Sequence, residues 1–133
     1  MDQAWVETVR VVRGHLRRLV DEETARRLDP RLAALLDRAA AGEDVSGEMA
    51  RALTVSPALQ RWAVQVHADP LHRHPALQSP LHRTTNGPAG HGEAVGAERY
   101  SCPVGHPHVV WWRLSVGEPV PECTTHQRPL ARD

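Results

Sequence analysis

Two cysteines and two histidines near the C-terminus have a spacing that suits a metal ion. Three residues separate Cys102 from His106, two separate Cys123 from His126, and sixteen lie between the pairs. Thiolate and imidazole are both zinc ligands, and a structural zinc takes four of them in a tetrahedron. Each close pair must turn back on itself to aim both side chains at one point. Pro103 and Gly105 supply that turn in the first pair, while Thr124 and Thr125 form a tight corner in the second. His108 is the alternative partner for Cys102, since a gap of five residues also permits closure. The competing readings are unrelated free thiols with surface histidines and a disulfide between Cys102 and Cys123.

Compartment bears on that choice. Met1-Asp2-Gln3-Ala4-Trp5 does not place a basic region before an apolar stretch, and no run reaches the length of a membrane span. The expected location is the cytoplasm, with no membrane association. Thiols stay reduced there, so the cysteines read as ligands of a structural zinc. Four ligands close the coordination shell, whereas catalytic zinc keeps a position open for water. The sequence also lacks the paired histidines of a zinc protease, the His-x-Glu and Pro-Cys-x-x-Cys of a deaminase, a phosphate-binding loop and a nucleophile elbow. No catalytic residues are assigned, and the chain is read as a non-enzyme.

The elements that must hold these ligands follow from residue pattern. Residues 108–114 are strand-like and contain Trp111 and Trp112, which in a strand point to opposite faces. A turn at Gly117-Glu118-Pro119 and a return through Val120 would make a hairpin that brings the two ligand pairs to one end. One indole is expected to cover the hairpin; the other is a candidate contact for a partner. Residues 99–133 thus form a small β unit. Before it, residues 69–98 contain Pro70, Pro75, Pro80 and Pro88 with Gly87, Gly90, Gly92 and Gly96, a composition expected to give an extended linker. His67, His72, His74, His82 and His91 are expected to be solvated.

Residues 1–68 read as a small helical bundle, so the fold class is mainly α. Trp5, Val9, Val12, Leu16 and Leu19 draw one apolar stripe, with Arg10, Arg13, Arg17 and Arg18 off it. Gly14 weakens that helix. Asp29-Pro30 resembles a cap followed by proline at a helix start, with Leu32, Leu35, Leu36 and Ala39 behind it and Gly42 as the stop. Ser46 is expected to cap a short helix carrying Met49, Ala52 and Leu53, and Ser56-Pro57 to cap the next with proline at its start. Trp5 and Trp62 are the expected core anchors. Ten arginines balance ten acids in this zone, which implies a solvated charged surface.

All 16 basic residues of the chain are arginine, and lysine, isoleucine and phenylalanine are absent. This is the residue menu of a high-GC, bacterial coding bias, so arginine alone does not signal phosphate recognition. The segment from 99 to 130 resembles a zinc ribbon, in which two ligand-bearing knuckles are joined by antiparallel strands; His106 and His126 stand where a ribbon usually has cysteines. The helical part is similar in size and character to the effector-associated adaptor domains of bacterial conflict systems. That resemblance implies a non-catalytic adaptor acting through another protein or self-association. The alternative is a nucleic-acid-binding regulator. Against it, the tail carries Arg99, Arg113, Arg128 and Arg132 with Glu118, Glu122 and Asp133, a weak footprint for phosphate.

Overall fold

The computed structural model describes residues 3–78, 98–104, 109–114 and 117–132. It is mainly helical, with four helices followed by a small antiparallel sheet. Helix α1 spans Gln3–Leu19. Its stripe of Val6, Val9, Val12 and Leu16 is buried in the main core, with Trp5 and Leu19 half-buried at the ends. A second face of the same helix is also covered, because Val11, Arg13 and His15 are buried too. Arg13 therefore departs from the solvated role expected of the arginines.

Helix α2 runs unbroken over Glu22–Ala40, and Asp21 caps it by accepting the Thr24 N–H at 2.8 Å. Pro30 lies inside this helix, so Asp29-Pro30 does not open a new one. An internal proline costs about 3 kcal/mol through its lost N–H and its ring. Leu28, Leu32, Leu35 and Leu36 are buried on either side of it. Each fully buried leucine contributes roughly 1.5–3 kcal/mol, so packing outweighs the proline. Gly42 stops the helix as expected, with φ at +97°, a conformation that glycine adopts without strain. Helices α3 (Ser46–Ala52) and α4 (Pro57–Ala68) complete the bundle; Val45 takes the N-cap position of α3, so Ser46 is its first helical residue and not its cap. The Ser56 hydroxyl caps α4 by accepting the Leu59 N–H, and Pro57 occupies the first turn. Among the described residues, no helix is long and apolar enough to cross a membrane.

The chain leaving α4 stays on the bundle through residue 78. Asp69 accepts from the Arg73 backbone and guanidinium, and a 3-10 turn at Pro75–Gln78 buries Leu77. His67 lies against Trp5, His72 approaches the Val66 carbonyl, and His74 packs on His15 and Trp62. These three histidines are half-buried rather than solvated. His82 and His91, with the rest of residues 79–97, lie outside the described residues.

Strands β1 (Arg99–Ser101), β2 (Val110–Trp112) and β3 (Ala131–Arg132) form a sheet in the order β2-β1-β3. Tyr100 faces Trp111 in one antiparallel pair and Arg132 in the other. The hairpin differs from the expected one, because β2 pairs backward with β1 rather than forward through Val120. Pro119 and Pro121 offer no N–H to a ladder, which makes the 119–121 segment a poor strand partner. The Glu118 carboxylate instead accepts the Leu114 N–H at 2.9 Å.

Alternation along β2 sends its side chains into two cores. Trp111 packs with Tyr100, Cys102, Val109, Cys123 and Leu130 in the β unit. Val110 and Trp112 pack on Val11, Val66 and Leu77 of the helical part. Both indoles are buried, so neither is presented as an exposed contact for a partner. Trp5 and Trp62, expected as core anchors, are only half-buried against the helical core.

Candidate metal centre

Cys102 immediately follows β1, in the connection that leads back to β2. Its thiol is thereby fixed at the end of a paired strand. Cys123 and His126 lie on a second, tighter device. The Cys123 N–H donates to the Arg128 carbonyl at 2.8 Å, and the Cys123 carbonyl accepts the Gln127 N–H at 2.7 Å. Gln127 adopts a positive φ of 55°, which reverses the chain, and Glu122 bridges to Pro129. Leu130 then closes the loop on the Pro121 carbonyl and enters the small core. This knuckle turns His126 back toward Cys123.

The three side chains converge. His126 Nδ1 lies 3.1 Å from Cys102 Sγ and 3.7 Å from Cys123 Sγ, and all three ligand atoms fall within 4.8 Å of one another. Tetrahedral zinc with ordinary bond lengths separates sulfur from nitrogen by about 3.6 Å and sulfur from sulfur by about 3.8 Å. The cluster is therefore of the right size to hold a metal ion. Both cysteines are free thiols and buried, while His126 is half-buried. Burial, together with the neighbouring Cys123 thiol, pushes the Cys102 thiol above its ordinary pKa. A cation between the sulfurs reverses that preference by favouring thiolate. His106, expected as the fourth ligand, and His108, its alternative, lie outside the described residues.

A layer of polar residues surrounds the knuckle, and it comes from the helices. The Arg13 guanidinium donates to the Asp29 carboxylate at 2.9 and 3.3 Å, to the Thr124 hydroxyl at 2.9 Å and to the Thr125 hydroxyl at 3.0 Å. The Thr124 hydroxyl donates in turn to Asp29 at 2.9 Å. Two residues along α1, the buried His15 ring accepts the Trp112 backbone N–H through Nε2 at 3.1 Å. Between these two contacts sits Gly14, where a Cβ would stand 2.0 Å from the Val110 carbonyl oxygen. The glycine is what allows helix and strand to approach this closely.

The spacing in the sequence pointed to Cys102, Cys123 and His126, which lie together, but gave no sign of this support. Thr124 and Thr125 read as a corner, and Arg13 as surface. The one available signal was a glycine inside an otherwise amphipathic helix, flanked by Arg13 and His15 and preceded by the extra apolar Val11. No protein-family model, curated protein or solved structure matches the chain, so function has to be read from the geometry.

Proposed function

We propose that the protein is a non-catalytic interaction module whose β unit is built around one structural zinc ion. Cys102, Cys123 and His126 supply three ligands and His106 the fourth. The burial of both cysteines supports this reading most directly, since a catalytic metal needs a path for substrate and an open position. The role is that of an adaptor, binding another protein or a second copy of itself, as the resemblance to bacterial effector-associated domains implies.

With Trp111 and Trp112 inside the chain, the surface that suits a protein partner lies on the helical part. Val55 and Val64 are half-exposed large apolar residues. Val64 borders a groove lined by Trp5, Leu53, Thr54 and Ala63. Exposed aliphatic and aromatic surface of this kind is the usual core of a protein contact. A pull-down from the native host, run beside titrations with single- and double-stranded DNA and RNA, tests the reading. Recovery of a protein partner or self-association, reduced by Val64→Glu, is expected. Tight, steeply salt-dependent nucleic-acid binding lost in Arg113→Ala, with no protein recovered, would favour a nucleic-acid regulator instead.

A further inference from the structure

We infer that metal binding in the β unit and docking of that unit on α1 are one coupled equilibrium, transmitted by Arg13, Asp29, Thr124 and Thr125. The inference rests on the metal reading proposed above and concerns how the same site is regulated. Thr124 and Thr125 are the two residues between Cys123 and His126, so their placement sets the bite of that ligand pair. Both hydroxyls are held by one guanidinium from α1, and Thr124 is held again by a carboxylate from α2. The Arg13 side chain is 1% exposed and its Asp29 partner 18%, so the guanidinium is shielded from water although the two threonines it holds lie at the surface. Charge-assisted hydrogen bonds in such a setting are strong and directional.

Coupling follows from reciprocity. If docking pre-orients the knuckle, it raises metal affinity; by the same factor, metal must favour the docked state. Groups that orient metal ligands from outside the coordination shell typically change metal affinity 10- to 100-fold. Another contact between the units, His15 with the Trp112 backbone N–H, belongs to the same interface but touches none of the candidate ligands. It therefore reports docking independently of the metal. When metal is removed, the knuckle loses its ligand constraint and the β unit loosens from α1. The covered face at Val11, Gly14 and His15 then becomes accessible. Metal supply in this way sets how much of α1 is available.

The experiment uses the full chain. Zinc affinity is measured by competition with a chromophoric chelator for the unaltered protein, the double substitution Thr124→Val with Thr125→Val, and the pair Thr124→Ser with Thr125→Ser. In parallel, hydrogen exchange of the Trp112 amide is followed with zinc and after chelation. The valine pair is expected to bind zinc about 10- to 100-fold more weakly and the serine pair to recover most of that loss. Chelation should accelerate exchange at Trp112 and at neighbouring α1 amides while the amides of α4 around Leu59 and Ala63 keep their protection. Should the valine pair fold poorly, the chelation arm on the unaltered chain still decides. Unchanged zinc affinity in the valine pair, or exchange at Trp112 indifferent to zinc, overturns the coupling and leaves the metal reading standing. Failure of the unaltered protein to bind zinc at all overturns both.

Discussion

His15 is a base kept neutral by its surroundings. Burial, with smaller contributions from His74 and Arg18, lowers its pKa from 6.5 to about 3. The unfolded chain takes up this proton below about pH 6.5, whereas the folded chain does so only near pH 3. Stability is thus fully present above pH 6.5 and falls as the pH drops, by about 1.4 kcal/mol per unit for this residue, until the folded form protonates. His74 is lowered too, chiefly by burial, and acts in the same direction. Urea unfolding at a series of pH values should show this loss between pH 6.5 and 4, flattened by His15→Gln. A stability independent of pH across that range contradicts the assignment. Arg13 makes a second prediction at this scale. Arg13→Ala strips the half-buried Asp29 carboxylate and two hydroxyls of their common donor, at a cost of about 1–3 kcal/mol. A shift in the urea midpoint measures it, and a change under about 0.5 kcal/mol would mark the pair as merely a surface contact.

Among the elements, α1 and β2 decide the architecture. Gly14→Ala raises helix propensity by about 1 kcal/mol, yet it drives a methyl group into the Val110 carbonyl. Overpacking against backbone costs about 1–3 kcal/mol, so the substitution should lower the melting temperature and deprotect the Trp112 amide. A raised melting temperature would mean that helix and strand do not meet at this point. The same residue illustrates what was legible in the sequence. The apolar period of α1 revealed its main face, because Val9, Val12 and Leu16 repeat at helical spacing. Its second face is written in Val11, a glycine and a histidine, residues that carry no hydrophobic period and acquire meaning only when β2 lies on them. Pro30 misled for a related reason. Local chemistry favoured a helix start there, and the leucines packed on both sides of it kept α2 continuous. The strand pairing was obscured because 108–114 can pair in either direction. Tyr100 supplied a β-prone partner behind it, and the prolines ahead could not complete a ladder.

At the scale of the molecule, the helical part and the β unit meet through buried side chains from both, Val11 and Val66 against Val110 and Trp112. The candidate ligands were legible because metal chemistry demands particular side chains at short spacing, and Cys102, Cys123 and His126 do converge. The support from α1 and α2 was not, since nothing in a sequence links Arg13 to a threonine 111 residues away. A metal-centred β unit carried on a helical bundle is the central claim, and metal content tests it most directly. The full chain, purified without added metal or chelator, should contain about one zinc per molecule by elemental analysis, and Cys102→Ser or Cys123→Ser should abolish it. Metal-free protein whose β unit nonetheless retains native hydrogen-exchange protection at Trp112 and Cys123 would contradict it.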